Sequence, residues 1–177
     1  GCRKDWSMAS YFHDIKQRIL SQTPTDKKIF LLVSGGVDST VAFVMLNKIF
    51  GKERVFGLHI DTGMMRMNES EEVIKFLHKA DMENLKVVNE SELFLHELVG
   101  KIEPEDKRHI IGETFLKSKE IESEALGFDP KEWILAQGTI YPDTIESGGT
   151  DNADTIKTHH NRVQGILDLM KEGLILE

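Results

Sequence analysis

The chain has 177 residues, of which 40% are hydrophobic and 29% charged, values typical of a globular domain with room for a core. A net charge of −8 and a pI near 5.4 argue against sequence-independent nucleic-acid binding, which requires a basic face. The single cysteine, Cys2, excludes an internal disulfide and a cysteine metal cluster, and no apolar run reaches membrane-spanning length. We therefore expect a cytoplasmic protein that binds neither nucleic acid nor membranes.

The first predicted element is an amphipathic helix over residues 7–20. Its apolar side chains recur at helical spacing, which predicts packing against a core: Met8, Tyr11, Phe12, Ile15, Ile19 and Leu20. A polar break follows at 21–28. The run at 29–33 (IFLLV) is too short for a buried helix and predicts a central parallel strand. After a turn at 34–40, the apolar segment 41–50 predicts a buried helix.

Later elements continue the alternation of strand and helix. Strands are predicted at 55–60 (VFGLHI), 85–88 (LKVV) and 134–136 (ILA), and helices at about 69–80 and 104–126. This alternation predicts an α/β fold with a parallel sheet and helices on both faces. The sequences SGGVDST, DTG and QGT each begin where a predicted strand ends. Because ligands of such sheets bind beyond the carboxyl ends of the strands, these sequences indicate the functional site.

The turn at 34–40 (SGGVDST) carries the chemistry that suits a phosphate. Its glycines permit close approach of a ligand, and N–H groups at the start of a helix can surround an anion. The hydroxyls of Ser34, Ser39 and Thr40 add donors, and Asp38 can hold a divalent cation. The segment is neither a Walker A motif nor a G-x-G-x-x-G fingerprint. The alternative is a tight turn that uses glycine for geometry alone; the D-S-T that completes the turn favours a phosphate site.

The SGGVDS loop resembles the pyrophosphate-binding loop of N-type ATP pyrophosphatases, which cleave ATP between the α and β phosphates. Further segments resemble the GMP synthetases in particular: HIDTGMMRMNES (59–70), PEDKRHIIGETF (104–115), AQGTIYPDTIES (136–147) and IKTHHNRV (156–163). The resemblance implies an adenine nucleotide alpha hydrolase-like, Rossmann-like fold. It also implies a ligase that aminates XMP to GMP through an adenylyl-XMP intermediate, with ATP and Mg²⁺ as cofactors. AMP and pyrophosphate are released, and the ammonia comes from glutamine.

The resemblance also implies roles for individual residues. The expected ATP-binding residues are Ser34, Gly35, Gly36, Val37, Asp38, Ser39, Thr40, Asp61 and Gly63, with Asp38 also holding Mg²⁺. XMP is expected to contact Arg66, Gln137, Thr139 and Asp143. Asp38, Lys157, His159 and His160 are the expected catalytic residues, the last three on a lid loop at about 148–161. Taken without the resemblance, Arg66, Lys107 and Arg108 fit a solvated surface, and Gln137 and Asp143 fit loop stabilisation.

The resemblance divides the chain into three parts. Residues 1–20 form a connecting segment and helix, residues 21–161 an ATP-pyrophosphatase domain, and residues 162–177 a helix leading to a dimerisation domain beyond the chain. The expected partners are a glutaminase domain or subunit and a second copy of the protein. Such a fragment could lack activity by itself. The competing interpretations are another pyrophosphatase with the same loop, such as NAD synthetase, and a non-catalytic ATP-binding module.

Overall fold

The computed structural model describes residues 7–128 and 132–136, together with the backbone of a short strand at 175–176. Within these residues the helices are α1 (Met8–Gln22), α2 (Val37–Phe50), α3 (Glu69–Lys79), α4 (Ser91–Glu97) and α5 (Pro104–Ala125). The strands are β1 (Lys28–Leu32), β2 (Val55–Asp61), β3 (Leu85–Asn89), β4 (Trp133–Ala136) and β5 (Ile175–Leu176).

All strand pairs in the sheet are parallel, in the order β3-β2-β1-β4-β5. The chain runs from β1 outward through β2 to β3, and β4 then pairs on the other side of β1. The strand order therefore reverses between β1 and β4, which is the kind of switch point where ligands of open α/β sheets bind. The parallel α/β prediction is confirmed.

Helices cover both faces of the sheet, as predicted. One face carries the larger core cluster, in which Phe43 of α2 and Leu77 of α3 are fully buried against β1 and β2. The other face carries Phe94 of α4 and Phe115 of α5, packed edge to face with ring centroids 5.5 Å apart. Alternate residues of β1 supply the two faces: Ile29 and Leu31 belong to the first cluster and Phe30 to the second.

The predicted element boundaries are close to the observed ones, with four differences. Helix α2 begins at Val37, so the second half of the predicted turn is already helical. Helix α4 was not predicted, because its run of seven residues is too short to show a helical period. Strand β5 lies inside the segment predicted as a C-terminal helix, so that prediction is wrong at residues 175–176. Helix α1 continues to Gln22, and its N-terminus carries a capping box between Ser7 and Ser10.

The packing predicted for α1 is largely wrong. No residue of α1 is buried, and three of the six apolar side chains are exposed: Met8, Tyr11 and Leu20. Ile19 does pack against the larger core cluster. The helical period was predicted correctly. An apolar stripe shows which face of a helix is suited to packing, but it does not show that another part of the chain packs there.

Candidate functional site at the carboxyl edge of the sheet

The SGGVDST loop leaves β1 at the carboxyl edge of the sheet and turns directly into α2. Gly35 has φ of +93°, a conformation that side chains rarely adopt. A Cβ added at Gly35 would lie 3.0 Å from Val73 Cγ2, so the close packing against α3 also requires glycine. Gly36 has ordinary angles and forms the N-cap of α2. An added Cβ there would meet only the Ser34 hydroxyl, at 3.6 Å, so the space in front of Gly36 is open.

Hydroxyl groups hold the loop closed on itself. The Ser34 amide donates to Ser39 Oγ at 3.1 Å, and the two serine hydroxyls lie 3.0 Å apart. Ser39 Oγ donates in turn to the Gly36 carbonyl at 3.2 Å. Ser34 and Ser39 therefore already have partners within the loop, and any phosphate contact from them adds to a structural function that the sequence does not reveal.

The N-terminus of α2 is open toward solvent. Gly36 supplies no side-chain cap, and Val37 and Asp38 in the first turn are exposed. The N–H groups of a first helical turn have no partners within the helix, and the helix dipole places partial positive charge there. Such an end can bind an anion. An acidic residue in a first turn also stabilises a helix by itself, so Asp38 has a structural function besides any contact with a cation.

The DTG turn lies on the neighbouring strand, since β2 pairs with β1 and ends at Asp61. Both carboxylate oxygens of Asp61 have protein partners: Oδ1 accepts from the Gly63 amide at 2.9 Å, and Oδ2 accepts from the Ser70 hydroxyl at 2.9 Å. Thr62 is buried, and its Oγ1 accepts from the Met64 amide at 3.3 Å. A carboxylate offers about four acceptor positions, so Asp61 keeps capacity for a ligand.

Gly63 has φ of +75°, and an added Cβ would lie 2.6 Å from Ser91 Cβ in α4. Glycine is required here by its backbone angle and by the approach of α4. The structure therefore gives Gly63 a packing function, whereas the resemblance implied a nucleotide contact.

Arg66 lies between the DTG turn and α3, and it is exposed. Its backbone amide donates to Glu69 Oε2 at 2.8 Å, so the backbone of this residue is fixed. The segment that contains Met65 and Arg66 lies next to the SGGVDST loop: a Cβ added at Gly35 would be 3.8 Å from Met65 Cε. On α5, Lys107 and Arg108 are exposed, and Arg108 forms an ion pair with Glu105.

The remaining predicted site residues lie outside the described residues. They are Gln137, Thr139, Asp143, Lys157, His159 and His160, together with the predicted lid at 148–161. Strand β4 ends at Ala136, so Gln137 follows it directly in the sequence. Within residues 7–128 and 132–136, no group of three or more His, Cys, Asp or Glu side chains is arranged to hold a metal ion.

Sequence reasoning missed one polar residue near this edge. His59 in β2 is fully buried, and its ring nitrogens face the Val33 carbonyl and the Ser70 hydroxyl. The signal was present in the sequence: a histidine inside the apolar run VFGLHI needs partners, because an unpaired buried polar group is costly.

A family model described as NAD synthase matches residues 9–109, more than half of the chain. The chain belongs to the NAD synthase family. This membership agrees with the expected use of ATP.

Curated relatives carry another name. The chain is 45% identical over 179 aligned residues to a Leptospira interrogans protein named "Probable GMP synthase", covering 100% of the chain and 29% of that protein. It is 40% identical over 177 residues to the GMP synthase of Ehrlichia canis, covering 99% of the chain and 32% of the relative. For the Plasmodium falciparum GMP synthase the identity is 42% over 163 residues, covering 90% of the chain and 29% of the relative. The chain thus spans about a third of the length of these relatives, all named glutamine-hydrolysing.

Solved structures support the fold. An NH3-dependent NAD synthetase from Campylobacter jejuni superposes with a TM-score of 0.63 at 12% identity, covering 96% of this chain and 77% of that one. An NMN synthetase from Francisella tularensis gives a TM-score of 0.61 at 13% identity, covering 96% and 74%. Among the described residues, no helix has the length and apolar character needed to cross a membrane.

Proposed function

We propose that the chain is the ATP-pyrophosphatase part of a glutamine-hydrolysing GMP synthase, a ligase that converts XMP to GMP. The observation that carries this proposal is identity of 40–45% across nearly all of the chain to relatives named GMP synthase. The NAD synthetase structure, by contrast, is only 12% identical and supports the fold alone. The competing NAD synthetase activity is therefore the less favoured one.

The SGGVDST loop is the proposed site for the pyrophosphate of ATP. The open space in front of Gly36 and the uncapped first turn of α2 support this assignment. Ser34, Gly35, Val37, Ser39 and Thr40 complete the loop around the phosphates. Asp61 and Gly63 shape the neighbouring turn, where Asp61 keeps acceptor capacity for a ligand.

Asp38 is the proposed protein ligand of Mg²⁺. Magnesium in nucleotide sites is commonly held by one or two carboxylates together with substrate phosphates and water, so a single exposed carboxylate beside an anion site fits it. When bound, the ion neutralises charge that develops on the leaving pyrophosphate.

The remaining assignments extend the resemblance. Arg66, whose backbone is held beside the DTG turn, is proposed to contact XMP. Three residues that follow β4 in the sequence are proposed to contact it as well: Gln137, Thr139 and Asp143. Lys157, His159 and His160 are proposed to stabilise charge during adenylation.

The chemistry requires both positioning and electrostatics. The C2 oxygen of XMP is a poor leaving group, so it first attacks the α-phosphorus of ATP, and the bond from that phosphorus to the bridging oxygen of pyrophosphate breaks. Ammonia then attacks C2, and AMP leaves with the oxygen. The loop holds the leaving group, and Arg66 aligns XMP for in-line attack. The proposed ammonia source is a glutaminase domain or subunit, and the proposed assembly is a cytoplasmic homodimer.

The test is a turnover assay of the complete protein with ATP, Mg²⁺, ammonia and XMP. We expect AMP, pyrophosphate and GMP in equal amounts, and no AMP when XMP is replaced by the carboxylate substrate of an NAD synthetase. AMP formation with that carboxylate alone would establish the competing activity. Binding of ATP without turnover of either substrate would establish a non-catalytic module.

The Mg²⁺ assignment has its own test in the same assay. Asp38→Asn should lower the adenylation rate by about tenfold or more at ordinary Mg²⁺ and lower the free energy of unfolding by no more than about 1 kcal/mol, the contribution of an exposed carboxylate in a first helical turn. Glu72→Gln, an exposed change in the first turn of α3, is the matched control. Full activity of Asp38→Asn would remove Asp38 from the site.

A further inference from the structure

A series of hydrogen bonds centred on His59, called the relay below, connects the SGGVDST loop to the DTG turn. The imidazole is 0% exposed, and Nδ1 lies 2.6 Å from the Val33 carbonyl oxygen. A carbonyl only accepts, so Nδ1–H is the donor. Ser70 Oγ lies 3.0 Å from Nε2 and donates its single hydrogen to Asp61 Oδ2 at 2.9 Å, so Oγ is the acceptor toward the ring and the full relay forms when Nε2 also carries a hydrogen. The relay ends at the Gly63 amide, which donates to Asp61 Oδ1 at 2.9 Å.

These contacts connect three separate segments of the chain. Val33 is the residue immediately before the SGGVDST loop, Ser70 lies in the first turn of α3, and Asp61 begins the DTG turn. The imidazole also lies under the loop itself, because an added Cβ at Gly35 would be 3.6 Å from His59 Cε1. The ring therefore contacts the base of the loop and, through Ser70, the Asp61 carboxylate.

An apolar side chain at this position in a buried strand would need no hydrogen-bond partners, whereas an imidazole needs them. Burying an imidazole with an unmet ring nitrogen is costly, so His59 is stable in the buried strand only with both hydrogen-bond partners in place. Every member of the relay has a partner, and its far end is a site residue. We infer that His59 is a positioning residue, which acts through Ser70 to hold the Asp61 carboxylate in register with the pyrophosphate loop; this inference rests on the proposed function.

The test separates the two ring contacts. In His59→Asn the amide nitrogen can replace Nδ1 and keep the Val33 contact, whereas the contact between Nε2 and Ser70 is lost. Ser70→Ala cuts the same link from the other side, and Ser70→Thr keeps the hydroxyl. Measured in the complete protein, His59→Asn and Ser70→Ala should each lower kcat about tenfold or more. The double variant should be no slower than Ser70→Ala, because that change already removes the contact that His59→Asn breaks. Ser70→Thr should restore the rate.

A second readout does not depend on turnover. Amide hydrogen exchange at Gly63, whose N–H donates to Asp61, should accelerate in Ser70→Ala and return to the wild-type rate in Ser70→Thr. Glu72→Gln, on the same helical turn but outside the relay, should leave exchange at Gly63 unchanged. If the wild-type protein makes no AMP from XMP, the proposed function fails, and the exchange rates alone decide whether the relay positions Asp61.

Three results would contradict this role of His59. Equal loss of kcat in Ser70→Ala and Ser70→Thr, or rate losses that add in the double variant, would overturn the inference. So would a fall in the free energy of unfolding with full kcat and unchanged exchange at Gly63, because that pattern describes a residue that only packs.

Discussion

At the scale of single residues, the two glycines of the loop have different functions. Gly35 is required by its backbone angle and its contact with Val73, whereas Gly36 has ordinary angles and open space. Gly35→Ala should therefore lower the free energy of unfolding by about 1–3 kcal/mol. Gly36→Val should weaken ATP binding about tenfold, because branched carbons would occupy the approach of the phosphates. The loss of stability should stay near 1 kcal/mol or less.

Urea unfolding and calorimetry with ATP·Mg²⁺ check this pair of variants. Gly36→Ala is the intermediate control, with a single methyl group in the open space. Unchanged ATP affinity in Gly36→Val would move the phosphates away from the loop. A stable, tightly folded Gly35→Ala variant would show that the conformation of Gly35 is not needed.

Arg66 allows a test of substrate assignment. Its amide bond to Glu69 is a backbone contact, so Arg66→Ala removes the guanidinium and leaves the turn in place. In the complete protein we expect the KM for XMP to rise about tenfold with the KM for ATP little changed, which is the pattern of a lost substrate contact. Met67→Ala, at a neighbouring side chain that is 90% exposed, is the control. A rise in the ATP requirement instead would place Arg66 on the ATP side.

The sequence identified the glycine-rich loop but not the contacts that hold it. Its composition and its position after an apolar strand are local features, so they can be recognised in one sequence. The relay from Val33 through His59 and Ser70 joins the end of β1, β2 and α3, and only the folded chain places these side chains together. The packing function of Gly63 was missed for the same reason, since Ser91 comes from an unpredicted helix.

At the scale of elements, the strands and long helices were predictable and the short pieces were not. Apolar runs of β1 and β2 and the proline at the start of α5 are strong local signals. Helix α4 has too few residues to show a helical period. The apolar residues of α1 do recur at helical spacing, but none of them is buried. Periodicity therefore predicted which segments are helical better than it predicted which faces are covered.

Helix α5 contains a lysine whose charge opposes folding. Burial lowers the pKa of Lys119 below its usual value of 10.5, and the nearby Glu120 only partly offsets this. The unfolded chain then binds this proton more tightly than the folded one, so the charge destabilises the fold at neutral pH. The penalty declines as pH rises through the lowered folded-state pKa toward 10.5.

Lys119→Met should thus increase the free energy of unfolding near pH 7, and its advantage over the wild type should shrink by about pH 10. Urea unfolding at both pH values measures the difference, and Lys117→Met, at an exposed position of the same helix, is the control. An advantage that is the same at both pH values would mean that the gain comes from apolar packing rather than from removal of the charge.

At the scale of the molecule, the alternation of strands and helices predicted the sheet, and the strand order follows from the structure. The order β3-β2-β1-β4-β5 places the SGGVDST loop beside the switch point. The loop and the DTG turn are brought together because β1 and β2 are neighbours with matching carboxyl ends. The site is thus a consequence of topology, and its chemistry is supplied by residues at the strand ends.

The sheet also joins two cores, and this leads to a test of cooperativity. Phe43 is fully buried on one face and Phe94 on the other, and β1 contributes to both clusters. Phe43→Ala and Phe94→Ala should each lower the free energy of unfolding by about 3–5 kcal/mol. Because the strands are shared, both variants should unfold in one transition.

Trp133, which packs against Phe128 on the second face, reports that face by fluorescence once Trp6 is replaced by Phe. In Phe43→Ala the fluorescence and circular dichroism transitions should coincide at the same lowered urea midpoint. A fluorescence midpoint that stays at the wild-type value while the circular dichroism midpoint falls would show that the two faces unfold separately.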